Sequence, residues 1–268
     1  MKDLVLSPKA FARIRDTLYQ VAGIKLEAGK EELVKARLIK ILNRLDLEDF
    51  ESYLDLVAHD DSGEELKRMV DVLTTNKTSF YRENEHFEFL RKEIAPGWAA
   101  AGQPVRIWCA GCSSGEEPYT LSAVLSECLP PARFAQLAIL ATDISDRVLT
   151  VARAAEYADE IVAELPADVR RRHFEPAGSG KVRVVQELRR KISFARLNLM
   201  GPWPMRGPFD AIFCRNVMIY FDKPTQTELV NRYHGLVRPG GWMFVSRSES
   251  LAGVAHPFEY VEPGVYRK

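Results

Sequence analysis

No stretch of this 268-residue chain approaches the roughly 18 consecutive apolar residues of a membrane span, and its opening, MKDLVLSPKA, has no apolar leader core. Cysteine is scarce: four thiols without a dense spacing argue against a disulfide scaffold and for a reducing compartment. Net charge is absent, 37 Lys and Arg against 37 Asp and Glu, so the overall basic footprint of a nucleic-acid binder is missing. Neither internal repeats nor low-complexity tracts occur. The composition, 46% hydrophobic and 28% charged, is that of an ordinary globular chain, and the expected location is the cytoplasm.

The balanced charge conceals an asymmetry. Residues 1–45 carry ten Lys or Arg against five acids, whereas residues 46–75 carry ten acids against Lys67 and Arg68. The first 75 residues read as helices. SPKAFARIRDTLYQVAG begins with a capping Ser followed by Pro and stops at Gly23. In EELVKARLIKILNRL the apolar residues Val34, Leu38, Ile41, Leu42 and Leu45 share one stripe, with Arg37, Lys40 and Arg44 forming a second beside it. That basic stripe is either a solvated helix face or a dock for an acidic partner. DFESYLDLVAH and SGEELKRMVDVLT predict two further helices, making a small all-α domain over 1–75.

From Val105 the pattern changes. VRIWCA, FAQLAILATD, ISFARLNL, FDAIFCRN and GWMFVSRSE predict buried strands, separated by helical segments such as EPYTLSAVLSECL and SDRVLTVARAAEY. This alternation predicts a doubly wound, mostly parallel Rossmann-like sheet over 76–268. KVRVVQEL, alternating with period two after a glycine-rich turn, predicts a small antiparallel β-subdomain inserted at about 172–195, and PGVYRK predicts a last antiparallel edge strand.

What the first strand leads into is a glycine-rich turn, CAGCSSGEEPY, that contains no lysine. A phosphate-cradling loop needs GxxxxGK[ST], and a dinucleotide fold needs GxGxxG; neither spacing is present. Adjacent Glu116 and Glu117 would repel a pyrophosphate but suit a ligand with hydroxyls, an ammonium and a positive sulfur. S-adenosylmethionine has all three. Asp143 at the end of the next strand suits a ribose diol; as a helix N-cap it would have a purely local role. With the glycine-rich turn one strand earlier, the cofactor reading is the better one. Glu116 is expected to face solvent at the helix start. Cys109 and Cys112 make a CxxC, but no second pair supplies the two remaining ligands of a zinc site, so no metal is expected and both read as structural thiols.

NKTSFYRENEHFEFL, WCAGCSSGEEPYTL, ATDIS, FDAIFCRNVMIYF and RPGG, in this order, resemble the CheR family of bacterial chemotaxis receptor protein-glutamate O-methyltransferases. The resemblance covers nearly the whole chain. It implies an S-adenosylmethionine-dependent enzyme acting on the cytoplasmic helices of chemoreceptors; the oligomeric state is open, with a monomer as the default expectation. It places Asn76, Thr78 and Arg82 on the cofactor, Glu117 on its ammonium, Asp143 on its ribose, Asn198 and Leu199 beside the adenine, and Asn216 and Val217 at the pocket's close. Arg82 and Tyr220 are implied to orient the substrate glutamate. From the residues alone, Asn76 and Thr78 could cap a helix, and the local readings are the better ones for Asn76 as a cap, Arg82 as a surface ion pair with Glu85 or Glu88, and Tyr220 as core; the resemblance reverses that. Arg37, Lys40 and Arg44 are the expected docking residues. The resemblance also implies independence from a receptor C-terminal pentapeptide, because EPAGSGKVRV is shorter than the loop of tail-binding members. Methylation of another protein, or cofactor binding without turnover, are the competing readings.

Overall fold

The structure, a computed structural model, describes residues 4–268. Four helices make the first domain: α1 (Pro8–Ala22), α2 (Glu31–Arg44), α3 (Phe50–His59) and α4 (Glu64–Leu73). The Ser7 side chain caps α1 by accepting from the Ala10 amide at 3.0 Å, and Gly23, at φ +68°, ends it in the left-handed region. The buried stripe of α2 is Val34, Leu38, Ile41 and Leu42. It packs with Ile14, Leu18, Phe50, Tyr53 and Met69 into the core of this domain, against which Ile144 of the second domain also packs.

A linker at 74–76 leads into the second domain, which opens with α5 (Glu85–Phe89), a π turn at Leu90–Ile94 and α6 (Ala95–Ala101). There follow β1 (Arg106–Ala110), α7 (Glu116–Cys128), α8 (Pro131–Ala135), β2 (Ala138–Asp143), α9 (Asp146–Ala154), β3 (Glu156–Ala158), α10 (Asp159–Val162), α11 (Ala167–His173), β4 (Phe174–Gly178), β5 (Lys181–Val184) and α12 (Gln186–Arg189). The chain ends with β6 (Ile192–Arg196), β7 (Phe209–Phe213), a 3-10 turn at Met218–Tyr220, α13 (Lys223–Leu236), β8 (Val237–Phe244), β9 (Glu259–Glu262) and β10 (Val265–Arg267). The large sheet has the order β6-β2-β1-β7-β8-β10-β9, parallel from β6 to β8 and antiparallel thereafter. Side chains alternate across it. Ile107 and Cys109 face the core shared with α5, α6 and α7, while Trp108 and Ala110 face the core shared with α13. Trp108 is fully buried against Trp203 and Tyr233, and its indole N–H donates to the Thr142 hydroxyl at 2.9 Å.

Three expectations shift. The small antiparallel sheet, β3-β5-β4, starts earlier than 172 and ends at Val184, because Val185 is already the N-cap of the short helix α12. Residues 192–196 instead pair in parallel with β2 at the edge of the large sheet. The strand expected at GWMFVSRSE starts earlier, at Val237, and takes in RPGG, with a bulge against β7. PGVYRK lies inside the sheet, since β9 covers its outer side.

Candidate active site

The strands β1, β2 and β7 end at one cavity of about 650 Å³, within the usual size of a small-molecule site. Asn76, Thr78, Arg82, Glu117, Asp143, Asn198, Leu199, Asn216, Val217 and Tyr220 all line it. Two walls meet here. One belongs to the α/β domain; the other comes from the helical domain and the linker, including Ile24, Lys25, Leu33 and Leu73.

The glycine-rich turn explains its lack of lysine through its hydrogen bonds. The amides of Gly111 and Cys112 both donate to the Thr142 carbonyl, at 2.8 and 2.9 Å. The Ser113 amide donates to Asp143 Oδ2 at 2.8 Å. These N–H groups are therefore engaged with the end of β2, and the turn offers no amide nest to a phosphate. Gly111 has φ +89°, and a Cβ there would lie 2.4 Å from Val217 Cγ2, so no larger residue fits.

Asp143 is buried and accepts through Oδ1 from the Ser145 amide at 3.0 Å. Burial pushes its carboxyl pKa up, and backbone donors at Ser145, Ser113 and Ile144 oppose that. The local capping role falls to Ser145, whose hydroxyl accepts from Val148 N, leaving Asp143 facing the cavity. Glu117 is also raised by burial, against the pull of Arg215, which donates to Glu117 Oε2 at 3.1 Å.

Arg215 is the residue that sequence reasoning missed. Its side chain is 2% exposed and lies 5.3 Å over the Phe87 ring. It pairs with Glu83 at 3.3 Å as well as with Glu117, and also donates to the Arg82 carbonyl. Two carboxylates around one guanidinium leave a net negative site beside the glycine-rich turn, which suits a ligand ammonium. Burial raises the Glu83 carboxyl, but donors from Ser246, Arg247 N–H and Arg215 outweigh it and hold the pKa at about 2. The only signal in the sequence was an arginine placed directly after a buried apolar strand.

Glu249 was also missed. It is buried and accepts from the amides of Asn216 (2.8 Å), Ser246 (2.8 Å) and Ile219 (3.1 Å), tying the 216–219 loop to the end of β8. Glu116, expected in solvent, is buried, because α7 starts beneath the turn and the Ser114 hydroxyl donates to it. Burial raises its pKa.

Tyr81 (φ 55°) and Glu83 (φ 52°) flank Arg82, while Ser113 (φ 49°) and Asn216 (φ 58°) lie across the cavity. Left-handed non-glycine residues are uncommon; two of these, Ser113 and Asn216, line the cavity and the other two flank Arg82, which lines it too, as is common at functional sites. Arg82 donates to the Lys77 carbonyl at 2.8 Å rather than pairing with Glu85 or Glu88. The Tyr220 hydroxyl donates to the Thr75 carbonyl at 3.1 Å; burial raises its pKa while the nearby Arg82 charge lowers it. Asn76 donates to the Thr74 hydroxyl at 3.2 Å. Asn198 donates to the Val21 carbonyl at 2.6 Å and accepts from the Met200 amide, joining the cavity to the end of α1. All four cysteines are free thiols, and burial pushes Cys109 and Cys112 well up, away from thiolate chemistry.

The expected docking stripe divides. Lys40 and Arg44 are exposed, with Arg44 3.7 Å from Glu65. Arg37 turns inward to the linker, donating to the carbonyls of Leu73 (2.7 Å) and Thr74 (3.1 Å) and to the Thr75 hydroxyl (3.0 Å).

The fold is that of an α/β S-adenosylmethionine-dependent methyltransferase with an added all-α domain, and the family matches show it. Residues 76–266 match the CheR methyltransferase, SAM binding domain, and residues 9–74 match the CheR methyltransferase, all-alpha domain. The chain belongs to the CheR methyltransferase family. It is 40% identical over 264 residues to chemotaxis protein methyltransferase 2 of Pseudomonas aeruginosa, covering 96% of this chain and 91% of that one. To the chemotaxis protein methyltransferase of Escherichia coli it is 39% identical over 269 residues, covering 98% and 92%. A probable chemotaxis protein methyltransferase of Rhizobium etli is 39% identical over 257 residues, covering 93% and 96%. Among the described residues, no helix is long and apolar enough to cross a membrane.

Proposed function

We propose that this protein methylates glutamate side-chain carboxylates of chemoreceptors. The observation that carries the reading is the chemistry gathered in one cavity, where the carboxylates Glu117 and Asp143 and the groups Arg82 and the Tyr220 hydroxyl all line the wall. When bound, S-adenosylmethionine would supply the electrophilic methyl group. Glu117, set in the net negative cluster with Glu83 and Arg215, would hold its ammonium, and Asp143 its ribose hydroxyls. Asn76 and Thr78 would complete the cofactor contacts from the linker side. Asn198, Leu199, Asn216 and Val217 would enclose the adenine. Arg82 and Tyr220 would orient the incoming carboxylate.

A free glutamate has a pKa of about 4.3 and is ionised at neutral pH, so the chain needs no general base. Its task is to align the carboxylate, neutralise its charge in part and exclude water. The mouth suits an acidic helical substrate. Lys25, Lys30 and Lys77 line it together with Leu33 and Ile219, which are 40% and 58% exposed. Lys40 and Arg44 on α2 would extend this basic surface. Independence from a receptor-tail pentapeptide is supported by the tight β4–β5 turn, only Ser179 and Gly180 separating the strands.

The decisive experiment supplies methyl-labelled S-adenosylmethionine and receptor-bearing membranes, then alkali. Release of the label as methanol is the expected result. Alkali-stable label would place the methyl on nitrogen or carbon and overturn the substrate; cofactor binding without incorporation would leave a non-catalytic adaptor. A receptor-tail pentapeptide binding at micromolar strength would overturn the tail-independent reading.

A further inference from the structure

The linker at 74–76 carries contacts from both functional halves of the cavity. The Thr75 carbonyl accepts from the Tyr220 hydroxyl, and the Asn76 carbonyl accepts from the Ser113 hydroxyl of the glycine-rich turn at 2.9 Å. Residues 73–78 form one continuous stretch of the cavity wall. On the side of the helical domain this stretch is gripped by Arg37. Its two terminal nitrogens make three hydrogen bonds to three consecutive residues, 73, 74 and 75. A planar fork with donors in fixed directions suits these three acceptors; a lysine ammonium, a point charge on a flexible stem, does not present its donors in that geometry. Arg37 is half-buried, while Lys40, one turn further along the same helix, is exposed.

We propose that Arg37 is a positioning residue for the active site and not a docking charge. It fixes the course of residues 73–75, and so places the acceptor that holds Tyr220 and the backbone at Asn76 that holds Ser113. The helix that presents Lys40 and Arg44 to a partner is thereby wired to the reacting groups through one side chain.

The test compares Arg37→Ala and Arg37→Lys with the wild type in two measurements. Calorimetry reads the affinity for S-adenosylhomocysteine, and methyl-transfer assays read KM and kcat. Both variants are expected to bind S-adenosylhomocysteine about 10-fold more weakly and to lose about 10-fold or more in kcat, the scale of losing charge-assisted hydrogen bonds. Added methylguanidinium is expected to restore part of the kcat of Arg37→Ala. Lys40→Glu is expected to raise KM for the receptor instead. If Arg37→Lys keeps wild-type affinity and kcat, or if Arg37→Ala changes KM alone, the proposal is overturned. The lysine variant keeps the charge and the aliphatic stem, so it decides the matter even where the alanine variant fails to fold. The turnover arm rests on the methyl-transfer reading above, whereas the calorimetric arm does not. Weakened binding with no methylation of any receptor would uphold the placement of Arg37 and reject only the substrate.

Discussion

The two walls of the cavity are built by different means. On the α/β side, the turn after β1 is held by backbone amides reaching the end of β2, a partner its own strand already brings alongside. On the helical side, contacts reach across the chain: Asn198 to Val21, the Lys25 amide to the Tyr220 carbonyl at 2.9 Å, the Tyr19 hydroxyl to Asp222 at 2.7 Å, and Arg37 to the linker. The first wall inherits the rigidity of a sheet. The second depends on two domains staying docked, and on side chains whose replacement leaves each domain's own core intact. A site built this way combines one wall fixed by the sheet with another that responds to what the helical domain touches.

Substitutions can break this contrast. The largest effect is expected at Gly111→Ala, where the Cβ collides with Val217 and φ is left-handed. Strain and overpacking of about 3 kcal/mol should weaken S-adenosylhomocysteine binding about 100-fold by calorimetry. His86 tests the charged floor of the same wall. Burial first, and then the Arg215 charge, lower its pKa from 6.5 to about 4. The unfolded chain takes up the proton from about pH 6.5 and the folded chain only near 4. Stability from neutral His86 is therefore complete above pH 6.5 and falls as the pH drops through that window. Urea titrations should show a loss of about 2 kcal/mol between pH 7 and 5 that His86→Gln lacks. Buried acids such as Asp143 and Glu249, whose pKa burial raises, act in the opposite sense, so the difference between the two proteins is the quantity to read.

Glu249→Gln replaces an acceptor of three amides with a group that carries donors of its own. A cost of about 2 kcal/mol should appear as a roughly 30-fold lower kcat, with the fold preserved by circular dichroism. The smallest effect belongs to the helical wall's outermost contact. Tyr19→Phe, at an exposed hydrogen bond, should lower kcat less than about threefold and leave S-adenosylhomocysteine affinity unchanged. If Tyr19→Phe proved as damaging as Gly111→Ala, the contrast between the walls would collapse.

What was legible in the sequence follows the same division. The helices of the first domain, the parallel strands and the glycine-rich turn were read from period, caps and spacing, and these depend on neighbouring residues. Glu116 was misplaced because an acid at a helix start is ordinarily solvated; only the turn folded over α7 buries it. The β-subdomain was shifted because alternation in KVRVVQEL continues past the point where α12 begins, and no local pattern marks which sheet Ile192 joins. Arg215 and Glu249 gave almost no signal, since the Arg215 carboxylates Glu83 and Glu117, and the Asn216 and Ile219 amides that Glu249 holds, lie at least 30 residues away in the chain.

By itself, the sequence determined the two domains, the α/β alternation and a turn suited to a cationic ligand rather than a phosphate. These are matters of hydrophobic period, of glycine at a left-handed position and of a lysine that is not there. Tertiary structure alone decided which carboxylates surround Arg215, that Arg37 faces the linker while Lys40 faces solvent, and that Tyr220 is held by the helical domain. The physical reason is range: periodicity and φ are set within a few residues, whereas the neighbours of a buried charge are chosen by the packing of segments far apart in the chain.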